Sequence, residues 1–200
     1  MAVTILGWDK KGGYVTSPQT VAVTALSTLA IVAIGLNAEA TSVTLGGQAM
    51  TKLYYSAGMT VLYLLNPPTG NQSLAWVGGA GGGQALCCLQ GNLPSAQCVA
   101  NVGSQTGTSD AFSVTLTTKV AGTQMIGFER NHGGGGGAVT PTSGTETYDF
   151  ESTFDEHLWS GYIVPTTVST TISGTHANAD RSAWAVEVVP PSGGSPMWWF

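Results

Sequence analysis

Short segments in which apolar and polar residues alternate recur along most of this chain, separated by clusters of Gly, Pro, Asn and Ser. Alternation with a period of two is the pattern of a half-buried β-strand, and many short strands at regular spacing are typical of a sandwich or a barrel. Segments with a helical period and capping residues are lacking. We therefore expect an all-β fold, an antiparallel, jelly-roll-like β-sandwich with little or no helix. The predicted strands are 19–25, 29–36, 40–46, 50–55, 59–65, 73–78, 84–90, 111–118, 123–129, 145–151, 158–164, 167–174 and 182–189.

The segment Pro67-Pro68-Thr69-Gly70 lies between two β-prone runs, Val61–Leu65 and Leu74–Val77. Proline presets φ near −65° and glycine accepts a positive φ, so the segment has the composition of a rigid turn. The pattern predicts a stiff hairpin that fixes the register of two strands and carries no reactive side chain.

The chain has very few charged residues for its length of 200 residues. Charged residues make up 8% of it, against about 25% in a typical soluble domain. The net charge is −5, and the six Lys and Arg residues form no basic stripe, which argues against a nucleic-acid partner. Few charges also leave sheet edges without their usual protection. Either short strands and glycine bulges protect the edges, or neighbouring subunits cover them.

The chain is expected to form one sandwich domain over 19–190, with an N-terminal arm at 1–18 and an aromatic tail at 191–200. The start of the sequence has no basic segment before its apolar residues, so it does not resemble a secretory signal. The apolar run Val21–Leu36 is too short and too polar for a membrane span. The residues 91–110 are expected to form the longest loop.

The three cysteines, Cys87, Cys88 and Cys98, do not form a metal-binding or disulfide pattern. Cys98 could pair with Cys87 or with Cys88, or all three could be small buried apolar residues. No cofactor or metal ion is expected.

Large apolar residues near the two ends are the predicted interface. Three aromatic rings at the end of a free tail would be adhesive, because each buries about 150–250 Å². The tail could fold back onto its own domain or anchor in a neighbouring subunit. The predicted interface residues are Trp8 and Tyr14 in the N-terminal arm and Met197, Trp198, Trp199 and Phe200 in the tail.

The titratable residues concentrate between Glu146 and His157. Their spacing matches no calcium loop and no known catalytic pair, so we interpret the segment as solvated. His132 and His176 lie in glycine- or asparagine-rich segments without a nucleophile motif. The chain is therefore expected not to be an enzyme. Trp76, Trp159 and Trp184 lie in strand-like runs and are expected in the core rather than on a ligand platform.

Three segments resemble a family of β-sandwich domains in phage and prophage virion structural proteins. These are TSVTLGGQAMTKLYY at 41–55, VLYLLNPPTGNQSLAWV at 61–77 and SAWAVEVVPPSGG at 182–194. The resemblance covers about residues 19–191 and includes no catalytic residue. It implies a jelly-roll-like virion component, either a capsid decoration protein or a tail-associated protein.

The sequence thus predicts a virion structural protein that packs against copies of itself and against a capsid or tail protein. Membrane and nucleic-acid partners are not expected. The alternative is a carbohydrate- or receptor-binding β-sandwich module, with a host-surface glycan as its ligand.

Overall fold

The computed structural model describes residues 2–79, 81–92, 94–108, 111–117, 122–132, 139–151, 156–166, 169–175 and 180–191. Within these ranges the chain is all-β, with a single short 3-10 turn at Ala96–Cys98 and no α-helix. The strands are β1 (Thr4–Val15), β2 (Gln19–Val23), β3 (Leu29–Gly35), β4 (Thr41–Leu45), β5 (Gln48–Ala49), β6 (Thr51–Ser56), β7 (Met59–Leu65), β8 (Gly70–Val77), β9 (Gly81–Gln90), β10 (Val99–Gly107), β11 (Ala111–Thr117), β12 (Gln124–His132), β13 (Thr140–Ser143), β14 (Thr145–Glu151), β15 (Glu156–Ile163), β16 (Ser169–Thr175) and β17 (Asp180–Val188).

The strands form four antiparallel sheets, which confirms the predicted antiparallel β-sandwich class. Sheet A has the order β1-β9-β3-β7-β6, and sheet B has the order β2-β8-β4-β5. Sheet C has the order β10-β17-β12-β15-β14, and sheet D has the order β11-β16-β13.

Three apolar cores hold the four sheets together in the layer order B, A, C, D. The core between A and B contains Val32 of β3 and Trp76 of β8, and the core between C and D contains Phe112 of β11 and Trp159 of β15. A third core joins the two inner sheets and includes Phe128 and other side chains from A and C. Central strands of the inner sheets, such as β3, therefore bury both faces. This is why β3 is a continuous apolar run, whereas β11 alternates buried and exposed residues.

The two halves of the chain repeat one topology. In sheets C and D, the strands β10 to β17 occupy the same places as eight strands of the first half occupy in sheets A and B. In order, the corresponding strands are β1, β2, β3, β4, β6, β7, β8 and β9. The residue pairing repeats as well, since Leu29 pairs with Leu89 and, 97 residues later, Ile126 pairs with Val186. The chain is thus two sandwich units, A/B and C/D, packed through their inner sheets, where one sandwich over 19–190 was expected.

The expected hairpin around Pro67-Pro68-Thr69-Gly70 is wrong, although the segment does connect two strands. β7 pairs with β3 and β6 in sheet A, and β8 pairs with β2 and β4 in sheet B. The segment carries the chain from one sheet of the sandwich to the other. A proline-glycine composition predicts a turn, but it does not determine which strands pair, because the pairing partners are distant in the sequence.

Two predicted connecting segments are strands. The residues Thr4–Val15, expected to be part of an arm, pair with β9 along the edge of sheet A, with register shifts at two places. The expected loop at 91–110 contains β10, which pairs with β17 at the edge of sheet C. Both segments are rich in glycine and polar residues and lack clean alternation, so their strand structure depends on their partners.

Candidate functional site

Trp8, a predicted interface residue, packs inside the chain. Its ring centroid lies 6.1 Å from that of Phe128 in an edge-to-face arrangement, so it joins β1 of sheet A to β12 of sheet C. Tyr54 and Trp184 continue this aromatic cluster, with ring centroids 6.3 Å apart. In this position Trp8 stabilises the contact between the two units. A role for it in contacts with other chains stays a prediction.

The remaining predicted interface residues cannot be placed as side chains. Tyr14 lies in β1, but its side chain is outside the described part of the structure. Met197, Trp198, Trp199 and Phe200 lie outside the described residues altogether.

Polar contacts supplement the apolar core between the units. The Tyr54 hydroxyl and the Ser182 hydroxyl are 2.9 Å apart. Arg130 of β12 is buried and donates a 2.5 Å hydrogen bond from Nη1 to the carbonyl oxygen of Ala57, which lies between β6 and β7. Gly35 provides room for this side chain, because a Cβ there would lie 3.3 Å from Arg130 Cδ.

The predicted acidic segment lies in β14 and β15 and the residues between them. Glu146 accepts a 3.1 Å hydrogen bond from Trp159 Nε1, so its carboxylate satisfies a core tryptophan. The side chains of Asp149 and Glu151 are outside the described part, and Asp155 is not described at all. Among the described residues, no group of three or more His, Cys, Asp or Glu side chains could hold a metal ion.

Cys87, Cys88 and Cys98 are free thiols in buried positions, which confirms their interpretation as small buried residues. Burial raises the pKa of the Cys87 thiol well above its usual value, and the adjacent Cys88 adds to this shift. Burial also raises the pKa of Cys98. Cys87 and Cys98 therefore do not have the lowered pKa of a reactive nucleophile.

The seven strands of the two outer sheets contain no Asp, Glu, Lys or Arg. This holds for β2, β4, β5 and β8 of sheet B and for β11, β13 and β16 of sheet D. The outward side of sheet D is a layer of hydroxyl groups, which we call the hydroxyl face. Its residues are Ser113, Thr115, Thr117, Thr140, Thr142, Ser169, Thr171, Ser173 and Thr175.

Hydrogen bonds between side chains tie the strands of the hydroxyl face together. The hydroxyls of Thr115 and Thr171 are 2.7 Å apart, which links β11 to β16. The hydroxyls of Thr142 and Ser173 are 2.8 Å apart, which links β13 to β16. These contacts hold a surface of short, neutral side chains that a partner can approach without desolvating an ion.

The edges of the outer sheets are partly protected by the chain itself. The Ala22 N–H of edge strand β2 donates a 2.8 Å hydrogen bond to the Asp9 carboxylate. The Ser113 N–H of edge strand β11 donates a 2.6 Å hydrogen bond to the Gln105 side chain. On the opposite edges, β5 is only two residues long and β13 contains Pro141. Short strands and local contacts therefore protect much of these edges, and coverage of the remainder by neighbouring subunits stays a prediction.

A groove of about 390 Å³ opens where the chain crosses from sheet B to sheet A. β5 pairs with β4 in sheet B, and after Met50 the next strand, β6, pairs with β7 in sheet A. β4 and β6 therefore diverge, and the groove lies between them; we call it the split groove. Its polar wall carries an ion pair between Lys52 and Glu39. Its other lining residues are Ala40, Thr41, Ser42, Val43, Thr44, Ala49, Met50 and Leu62.

Comparisons with protein-family models, with curated proteins and with solved structures find no match to this chain. The resemblance to phage virion proteins therefore depends on the three sequence motifs alone. The part of the chain that the structure describes contains no helix that is long and apolar enough to span a membrane.

The charge-free outer sheets, the hydroxyl face and the split groove were not identified from the sequence. The signal for the hydroxyl face is present in the segments SVTLT and STTISGT, in which Ser or Thr alternates with other residues. The split groove has no comparable signal in the sequence, because it depends on the chain passing from sheet B to sheet A at Met50.

Proposed function

We propose that this chain is a structural subunit of a phage virion, in a capsid decoration or tail-associated position, that works by packing against copies of itself or against another virion protein. The observation that carries the proposal is the absence of charged residues from all seven strands of the outer sheets. Solvent-facing sheet surfaces commonly carry charged residues that oppose association. A surface without them is suited to being covered by protein.

The alternative function, a glycan-binding module, has less support. A saccharide platform needs aromatic rings on an exposed surface. Trp76, Trp159 and Trp184 are at most 5% exposed, and each belongs to one of the three apolar cores. Among the described side chains, the only strongly exposed aromatic residue is Tyr55.

We also propose that each unit is a jelly roll. Numbered within a unit, with the two-residue β5 set aside, the larger sheet has the strand order 1-8-3-6-5 and the smaller sheet has the order 2-7-4. Consecutive strands alternate between the two sheets except at strands 5 and 6, and eight strands in two sheets are characteristic of the fold. The short β5 continues the smaller sheet beside strand 4, and this supports the same proposal.

The outer surfaces can be tested by adding single charges to them. Thr115→Lys on sheet D and Ser73→Lys on sheet B each place an ammonium group on a neutral face, and we expect each to weaken self-association by at least tenfold. Val164→Lys is the matched control, because Val164 is exposed and lies outside the sheets. Association constants come from sedimentation equilibrium. Equal association of all three variants and the unmodified chain would contradict the proposed role of the outer sheets.

A further inference from the structure

The split groove has the features of a site for an added β-strand. β4 pairs with β8 on one side and with β5 on the other, but β5 reaches only Thr44 and Leu45. Met50 N–H then bonds to the carbonyl oxygen of Val43, after which the chain leaves for sheet A. The outer side of Thr41 and Ser42 is therefore beyond the reach of β5, and β6 is the edge strand of sheet A. An exposed strand edge is a template for an extended peptide, in which alternate side chains enter adjacent pockets.

The lining of the groove suits an apolar peptide. The half-buried Met50 and the largely buried Val43 and Leu62 form the apolar side of the groove, and the Lys52–Glu39 pair lies at the polar wall. The volume of about 390 Å³ lies within the range of small binding pockets, roughly 300–1,000 Å³. A site of this size accommodates one or two large side chains, with the Lys52 ammonium available to an aromatic face.

The same chain contains a segment with complementary properties. Beyond Pro191, the last described residue, the sequence SGGSPMWWF places four large apolar residues after a short spacer. Each aromatic ring gains from burial of about 150–250 Å² of surface.

The position of Pro191 indicates that the tail of one copy reaches the groove of a second copy rather than its own groove. Its neighbour Pro190 lies near Gly122 and Ala2, at the end of the sheets where β3 begins. The groove includes Glu39 and Ala40, which follow the other end of β3. The spacer between Pro191 and Met197 spans at most about 20 Å, roughly the length of β3 alone, and the groove is also displaced sideways to the far edge of sheet A.

We propose that the apolar tail segment Met197–Phe200 of one copy binds as an extended strand in the split groove of a second copy. This inference depends on the proposed function, since it names one contact through which the subunits pack.

Disulfide crosslinking between two different variants tests the contact. One chain carries Ala49→Cys, inside the groove, and a second, affinity-tagged chain carries Trp199→Cys. Gln48→Cys is the matched control, because Gln48 is the other residue of β5, is also exposed and does not line the groove. The native cysteines are buried. After mild oxidation of the mixture, we expect a mixed disulfide dimer from Ala49→Cys in at least fivefold excess over Gln48→Cys.

The outcomes separate the contact from the proposed function. Equal yields from the two cysteine positions, with self-association intact by light scattering, would overturn the groove assignment and leave the proposed function standing. A crosslink that forms only when both substitutions are in one chain would show that the tail occupies its own groove, and this also overturns the proposal. If the unmodified chain does not self-associate at all, the contact between two copies fails, and the proposed function fails as well if the chain also binds no other virion protein. A second variant, Ala49→Gln, which adds a bulky side chain in the groove without adding a charge to sheet B, should reduce self-association by at least tenfold, whereas the neutral change Gln48→Met should not.

Discussion

The Asp9 carboxylate in β1 accepts a hydrogen bond of 2.8 Å from the backbone N–H of Ala22 in β2. β1 belongs to sheet A and β2 is an edge strand of sheet B, so one side chain spans the corner between two sheets. Gln105 of β10 makes the same type of contact with Ser113 of β11 in the second unit. In both units, a side chain of the neighbouring strand thus accepts a hydrogen bond from an N–H group of an edge strand. This leaves the sheet faces for intermolecular contact.

Removal of the Asp9 carboxylate should weaken this corner. Asp9→Ala leaves the Ala22 N–H without its acceptor, and we expect the free energy of unfolding to fall by about 1 kcal/mol, as for a partly exposed hydrogen bond. Asp9→Asn keeps an oxygen acceptor and should retain most of the stability. Urea denaturation measures both values. Identical losses in the two variants would show that the hydrogen bond to Ala22 is not the cause.

Arg130 should couple the two units. Its side chain crosses from β12 to the carbonyl oxygen of Ala57, and Arg130→Met keeps the apolar part while removing the donor. We expect a loss of about 2–3 kcal/mol, since a buried hydrogen bond to a charged group is broken. Lys11→Met, which removes a partly exposed cation from β1, is the control and should change stability by less than about 0.5 kcal/mol. Calorimetry that gives equal melting temperatures for both variants would contradict a coupling role.

The Gln84 side chain in the core of the first unit is expected to lower the free energy of unfolding. Its side chain is fully buried, and neither its amide nitrogen nor its amide oxygen has a hydrogen-bond partner in the described structure. Gln84→Met has a similar length and no unsatisfied polar group, so we expect a gain of about 1–3 kcal/mol in the free energy of unfolding. Urea denaturation provides the measurement. A loss of stability would show that the amide is satisfied in solution, for example by an internal water molecule.

Because the Cys87 thiol is buried, we expect the free energy of unfolding to fall at alkaline pH. Because burial raises its pKa in the folded state, the folded protein holds this proton more tightly than the unfolded chain does. The contribution of this protonated thiol to the free energy of unfolding is therefore complete below the usual thiol pKa of 9.0. It is lost as the pH rises above that value. We expect Cys87→Ala to reduce the decline of the unfolding free energy above about pH 9. If the free energy of unfolding declines equally with pH in the variant and in the unmodified protein, groups other than Cys87 cause the decline.

Much of the fold could be predicted from local sequence. The strands at 29–36, 59–65 and 145–151 were placed within one residue of their observed ends, because apolar, β-branched or alternating residues with turn residues around them define each one. The core positions of Trp76, Trp159 and Trp184 were also correct. These features depend on neighbours in the sequence, which a single chain displays.

The duplication and the layer order could not be obtained in the same way. The repeat leaves only faint marks, such as Pro68-Thr69 and, 97 residues later, Pro165-Thr166. Similar topology persists although most residues differ, because a sandwich requires a pattern of buried positions rather than particular side chains. The position of Trp8 against Phe128 depends on how the units pack, and nothing near Trp8 in the sequence indicates that contact.

The most direct test of the central claim, that the neutral outer surfaces of this chain are covered by other protein, is its molar mass by multi-angle light scattering over a range of concentrations. The account predicts a mass that rises above 20.5 kDa as the concentration increases, and a smaller rise for Thr115→Lys. A mass that stays at 20.5 kDa at every concentration, together with no binding to any capsid or tail protein of the proposed virion, would contradict it.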